Sequence, residues 1–472
     1  MEESLAYKTL LEVSEKIRTG EVSPTALTEH LLDRIAMENP KYYCYETITA
    51  DHARNQAEKA ERDLREGTWL GPLHGVPIAV KDLYETSFAP TKGGTRIYDA
   101  SAMKDSATVV TRLESAGAVI LGKLQMTEAA YTNHHPSVVA PVNPVDAEYW
   151  VGTSSTGPGV ATAAGLCFAS LGSDTGGSIR FPSATCGLTG LKPTWGRVSR
   201  HGVLPMASSL DHVGPMCRSA ADAAAMLGVI AGRDPHDLTT SMQSVPNYME
   251  FISRDTAALK IGIDRSYTRE GLDPQVIAAL DEAEHTFVEL GASIVEISMP
   301  DYRPLTTSWM SLCSVELAIA HSDTYPIQKA IYGPELAAFL DFGRTRSGLD
   351  VGKIIHERFL YSCGLAAGLE NVDMLLIPTM PMTTPSLVEM SNLGKMPEVL
   401  TELLRFTAPF NFSGSPTVTL PNGVDSNGMP LSMQLVGKHF REEVILKAAH
   451  LFQRHTDWHA LRRTIPSGHR LY

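Results

Sequence analysis

The hydroxyl side chains Thr153, Ser154, Ser155, Thr156, Ser173, Thr175 and Ser178 fall within one stretch, Gly152–Thr194. Asp174, Arg180 and Lys192 are its only charged residues. Glycine and alanine fill much of the remainder, and small residues let backbone segments approach and converge their N–H groups. In GSDTGGSIR (172–180) adjacent glycines precede Ser178. Such a turn presents several N–H groups on one side. A serine there can attack a carbonyl while the N–H groups receive the developing oxyanion. A structural Gly-rich turn and a phosphate cradle compete with that reading. The stretch contains no GxGxxG, GxxxxGK[ST] or GxSxG pattern, which weakens the nucleotide and hydrolase-elbow alternatives.

A nucleophilic serine needs a base. The chain has 16 histidines, among them His134, His135, His201 and His212, but an isolated histidine is more often structural than catalytic. Lys81 ends the apolar run IAVKD, an unusual place for a solvated lysine. Burial there lowers its pKa and frees a neutral amine. Ser154 or Ser155 could then pass a proton between Lys81 and Ser178.

Three blocks carry a family resemblance: GVPIAVKD (75–82), TSSTGPG (153–159) and LGSDTGGSIRFPSATCGLTGLKPT (171–194). Support comes from ATVVTRLESAGAVILGK (107–123), SLDHVGPM (209–216) and the PTVTLP and GMPLSMQLVG segments near the end. With these the chain resembles the amidase signature family, whose members use a Ser–cis-Ser–Lys triad. The likeness covers nearly the whole chain and is weakest from about 232 to 370. It implies Ser178 as acyl-forming nucleophile, Ser154 as bridging serine and Lys81 as base. Ser154 and Ser178 stand 24 positions apart, the family spacing. The N–H groups of Thr175, Gly176, Gly177 and Ser178 are then the expected oxyanion hole. Ser155, Asp174 and Arg180 match supporting positions. The implied reaction is amide hydrolysis to acid and amine or ammonia, with no metal and no organic cofactor. Linear, aryl and hydrazide-like amides all fit.

The sequence departs from the usual SSGG wording with Ser154-Ser155-Thr156-Gly157, where Thr156 should stiffen the loop. In MTEAAYTNHHP (126–136), Tyr131 is an expected wall of the acyl site, with Thr153 beside it, and the paired histidines read as loop packing. Trp309, Met310 and the stretch Met380–Met390 are read as outer pocket or core. Two rivals stand. One is the glutaminase subunit of a tRNA-dependent amidotransferase, but GRTRSGLDVGKIIHERFLYSCG (343–364) matches the expected glutamine-binding segment poorly. The other is a non-catalytic binding protein on the same scaffold, against which the intact Lys81, Ser154 and Ser178 argue.

The elements that must hold these groups read as α/β. Helices are expected at 5–18, 24–37 and 49–66, then at 108–116, 158–171, 219–231, 273–290 and 441–455. Strands are expected at IAVKD, AVILGK, LKIGID, ASIVEI, DMLLIPT, PTVTLP and LSMQLVG. Strand, helix and strand in sequence predict a central mixed, mostly parallel sheet with helices on both sides. The 472 residues are read as a single domain: N-terminal helices to about 67, a signature core at 71–231 and a variable region at 232–370. Hydrophobic residues make up 43%, and 40 basic residues face 53 acidic ones, a net charge of −13. No basic run interleaves with aromatics, so nucleic-acid partners are not expected. No apolar run reaches the ~20 residues needed to span a bilayer. The acidic, amphipathic N-terminus does not read as a signal peptide. Cysteines at 44, 167, 186, 217, 313 and 363 form no CxxC pair, which suggests reduced core thiols and a cytoplasmic setting. The expected partner is a small amide, with a homodimer left open.

Overall fold

The computed structural model describes residues 3–98, 101–254, 259–393 and 397–460. Its strands are β1 (Tyr45–Ile48), β2 (Pro77–Lys81), β3 (Val119–Leu124) and β4 (Ala169–Asp174), then β5 (Thr189–Lys192) and β6 (His212–Cys217). They continue with β7 (Lys260–Ile263), β8 (Ser293–Glu296), β9 (Met374–Pro378), β10 (Thr417–Val424) and β11 (Pro430–Gly437). All eleven join one sheet in the order β1-β3-β2-β4-β6-β5-β10-β11-β9-β7-β8. The fold is α/β, a large mixed sheet flanked by helices.

The pairing differs in balance from the mostly parallel expectation. Among the described strands four pairs are parallel, β2–β3, β2–β4, β7–β8 and β7–β9. The other six are antiparallel. The parallel pairs are those joined by helical crossovers, as between β2 and β3 through the helix Thr108–Ser115. The centre is built instead from β10 and β11, linked by a short turn that forces antiparallel pairing, and from β5 and β6.

Several helices begin where the sequence places them. Ser23 accepts the Ala26 N–H and Pro24 opens the helix Pro24–Tyr42. The expected 5–18 helix divides into a 3₁₀ turn, Glu3–Tyr7, and a helix Leu10–Arg18. Thr9 and Glu12 form a capping box that fixes the second start. The expected 158–171 helix is corrected most. It runs only over Thr156–Ala163, Gly165 turns the backbone left-handed at φ 70°, and β4 follows.

The middle region, for which the sequence predicts little, is helical, with Arg303–Ala320, Pro334–Arg344 and Gly348–Gly368. One contiguous apolar core runs from Leu5 to Phe452 and includes the inward faces of these helices.

Candidate active site

Lys81 closes β2, whose five residues are all buried, and its side chain is fully buried. An isolated ammonium there would be costly, so its surroundings decide what it can do. Nζ donates to Ser154 Oγ at 2.7 Å, Ser155 Oγ at 2.9 Å and Ser173 Oγ at 2.9 Å. Burial pushes its pKa down to about 7, against the opposing pull of Asp174 and Asp211. Near neutrality about half of such lysines carry a free amine lone pair.

The next residue follows a different logic. Asp82 lies 3.0 Å from Lys123 of β3, both buried, and this pair anchors the end of β2.

The Thr153–Ser154 peptide bond is cis. Ser154 and Ser155 are buried just before the helix Thr156–Ala163. Ser155 Oγ donates to the Ser173 carbonyl at 3.1 Å and accepts from the Ser173 N–H at 3.3 Å. Its hydrogen is therefore committed, and toward Lys81 it acts only as an acceptor. Ser154 Oγ has no other protein partner among the described residues.

Ser178 lies beyond the double glycine, 8% exposed. No hydrogen bond holds its Oγ among the described residues, and none joins it to Ser154. Gly177 adopts φ 135°, and a Cβ there would collide with the Phe181 ring. A Cβ on Gly176 would strike Trp309, whose Nε1 donates to the Thr175 carbonyl at 3.0 Å. Both glycines are thus required by close neighbours.

Of the four expected oxyanion donors, the Gly177 N–H already donates to Asp174 Oδ1 at 2.9 Å. The N–H groups of Thr175, Gly176 and Ser178 reach no acceptor in the backbone or side chains among the described residues. Asp174 also accepts from the Ile179 N–H at 3.0 Å and from Arg180 Nε and Nη2 at 3.0 and 2.8 Å. Burial alone would raise its pKa, but the Arg180 guanidinium, with help from Asn411 and Lys192, holds it well below the usual carboxylate range.

Arg180 is fully buried and reaches across the sheet. It donates to the Thr407 carbonyl at 2.9 Å and to Asn411 Oδ1 at 2.6 Å, and Gln434 Oε1 lies at 3.4 Å. Asn411 in turn donates to Asp174 Oδ1 at 2.9 Å. Arg180→Met should therefore lower stability by about 3–5 kcal/mol, because it strands a buried carboxylate. The midpoint of denaturant unfolding checks this, and a shift worth under ~1 kcal/mol would show that the pair does not brace the loop.

Tyr131 stacks on Phe339 with ring centroids 3.9 Å apart. Thr153 Oγ1 donates to the Tyr131 and Thr132 carbonyls at 3.2 and 2.9 Å, tying the two loops together. Thr156, the departure from the SSGG wording, meets the first of the paired histidines. His134 Nε2 lies 3.1 Å from Thr156 Oγ1, and burial pushes the His134 pKa down to about 4. His134 thus packs the loop, as the sequence reading expects.

Sequence reasoning brought together Lys81, Ser154, Ser155, Asp174 and Arg180. It missed the contact of Ser173 with Lys81, although Ser173 stood among the clustered hydroxyls. Asn411 and Gln434 carried no local signal.

Fold and site together set a fully buried lysine against three serine hydroxyls at the edge of a glycine-rich turn in a large mixed α/β sheet. A profile of the Amidase family matches residues 26–446. The chain is 43% identical over 461 residues to the amidase AmiD of Mycobacterium tuberculosis, covering 98% of this chain and 97% of that one. It is 36% identical to a glutamyl-tRNA(Gln) amidotransferase component from Geobacter metallireducens, covering 97% and 99%. The solved 6-aminohexanoate cyclic dimer hydrolase, in complex with its substrate, superposes with a TM-score of 0.87 at 27% identity, covering 97% and 99%. The chain belongs to the amidase family. It is an amide hydrolase acting on carbon–nitrogen bonds. Among the described residues no helix is long and apolar enough to cross a membrane, and no cluster of potential metal ligands occurs.

Proposed function

We propose that hydrolysis proceeds through an acyl-Ser178 intermediate, with Lys81 as base and Ser154 as the hydroxyl between them. The observation that carries this reading is a fully buried lysine held by three serine hydroxyls, with its pKa near neutrality. Neutral Lys81 takes the Ser154 proton, Ser154 takes that of Ser178, and Ser178 Oγ bonds to the amide carbon. The oxyanion rests on the N–H groups of Thr175, Gly176 and Ser178, while Gly177 keeps the turn bound to Asp174. The relay returns the proton to the leaving nitrogen as the C–N bond breaks. Water then adds to the acyl carbon, and its proton travels the same path before returning to Ser178. The Ser154–Ser178 hydrogen bond closes in the substrate complex, as is common for catalytic contacts. Tyr131 bounds the acyl site, and Thr153 fixes the loop carrying it.

Ser154→Ala should lower kcat/KM by about 10²–10⁴, because it cuts the proton path. Ser155→Ala should cost less, since that hydroxyl supports Lys81 and cannot give it a proton. Steady-state kinetics of both variants test the assignment, and the opposite order would reverse the two serines.

We read the preferred substrates as small linear amides and the chain as one catalytic unit in the cytoplasm, where its unpaired cysteines stay reduced. The amidotransferase relatives favour one further test. Co-purification with partner subunits and glutamine-dependent ammonia release would transfer their role to this chain. Light scattering of the protein alone distinguishes a homodimer from a monomer.

A further inference from the structure

A cavity of about 260 Å³ lies beside the serine cluster that surrounds Lys81. Its wall includes Ser173, Thr175 and His212, and it opens to solvent past Arg200, His201 and His236. Neither Ser154 nor Ser178 lines it. Ser173, one of its lining residues, accepts from Lys81 Nζ through Oγ at 2.9 Å.

The hydrogen bonds around Nζ give this contact meaning. Of the three serines, Ser155 has its hydrogen committed to the Ser173 carbonyl. Ser154 and Ser173 keep hydroxyls that can turn either way, because neither Oγ has another protein partner among the described residues. A neutral amine offers two hydrogens and one lone pair. It can donate to Ser155 and to one of the other two while accepting from the third. Lys81 thus faces two proton routes, Ser154 toward the substrate and Ser173 toward the cavity.

His212 lies in the inner wall. His212 is 3% exposed, and its Nδ1 donates to the Leu210 carbonyl at 2.6 Å. That fixes Nε2 as the unprotonated nitrogen, and Nε2 is buried with no hydrogen-bond partner. Burial and the nearby Lys192 keep this ring neutral. Asp211 is already engaged by Thr175 Oγ1 at 2.6 Å and by the Met206 and Ala207 N–H groups at 3.0 and 3.1 Å. Asp237 accepts from the Arg200 N–H at 2.8 Å, so both carboxylates serve the walls.

The geometry points to this cavity as a side port through which Lys81 exchanges protons with solvent by way of Ser173 Oγ. The protonation of a fully buried lysine follows bulk pH only through a path to solvent, and a bound substrate or acyl group blocks the front. Along the port a proton moves from Lys81 to the Ser173 oxygen as the Ser173 proton passes to cavity water, and the reverse sequence recharges the lysine. No other reactant is consumed. This inference rests on the assignment of Lys81 as base.

The test measures kcat and KM for an amide at pH 6–9 in weak buffer, with and without imidazole as a small proton carrier. Ser173→Ala is expected to lower kcat about tenfold with KM within twofold, and imidazole is expected to restore much of the loss. Ser173→Thr, which keeps the hydroxyl, should behave like the parent without imidazole. A kcat that is unchanged in Ser173→Ala, or lowered and insensitive to imidazole, overturns the port. Should Ser173→Ala fail to fold, His201→Trp narrows the mouth instead. It is expected to lower kcat in weak buffer and to raise the solvent deuterium isotope effect, and no change in either overturns the port. Fluorophosphonate labelling of Ser178 reports the triad separately. An unlabelled parent protein removes the triad and the port together, whereas normal labelling with an unaltered kcat in Ser173→Ala removes the port alone.

Discussion

Ser178→Ala should leave a folded protein that turns over amides at least about 10⁴-fold more slowly than the parent. The size of the loss follows from the role, since without Oγ no acyl intermediate forms and the N–H groups alone give little turnover. The intact fold follows from the surroundings. Ser178 makes no side-chain hydrogen bond among the described residues, and the turn is held by Asp174 through the Gly177 and Ile179 N–H groups. Amide hydrolysis measured beside thermal unfolding checks both halves. A variant retaining substantial activity at an unchanged Tm would remove Ser178 from the nucleophile role.

The second large effect concerns Lys81 and pH. Desolvation lowers its pKa to about 7, so protonation, and with it loss of the base, occurs as pH falls through that value. Activity should drop nearly tenfold per pH unit below about 6 and stay level into the mildly alkaline range. Lys81→Ala should cost about 10²–10⁴ in kcat at pH 7, with partial recovery at high pH where hydroxide substitutes. Lys81→Arg should fare no better, because a guanidinium stays protonated. A pH–rate profile for the three proteins decides the matter. Near-normal neutral-pH rates in Lys81→Arg would make position 81 an electrostatic group and end the general-base mechanism.

Much of this was legible in sequence because the site is local in its parts. The apolar run before Lys81 does form a strand, and the glycines before Ser178 do form a tight turn. What escaped was set by tertiary contact. β4, ASLGSD, is buried at every position yet carries small residues where strands usually show Val or Ile. Gly172 shows why, since a Cβ there would press on Met216 and Ser155 Oγ. Close packing around the lysine selects residues that read as helix or loop.

The helices between 303 and 368 were hidden for the opposite reason. Ile319, Leu349, Ile355, Phe359 and Leu360 are exposed, so the apolar periodicity of a one-sided helix is blurred. The mixed sheet was likewise only partly foreseeable. Crossover helices announce parallel pairs locally, whereas the pairing of β5 with β10 joins segments more than 220 residues apart.

The clamp on the Asp174–Arg180 turn also sets a timetable for the protein's synthesis. By the time Gly190 leaves the ribosome, Lys81, Ser154 and Ser178 have all been made. Thr407, Asn411 and Gln434, which hold the Arg180 guanidinium, have not. Long-range contacts of this kind form late in folding. A nascent chain thus carries Ser178 on an incompletely braced turn through most of translation. A message truncated before codon 407 would yield a chain with Lys81, Ser154, Ser178 and the Asp174–Arg180 pair, but without the groups that brace the far side of the Arg180 guanidinium.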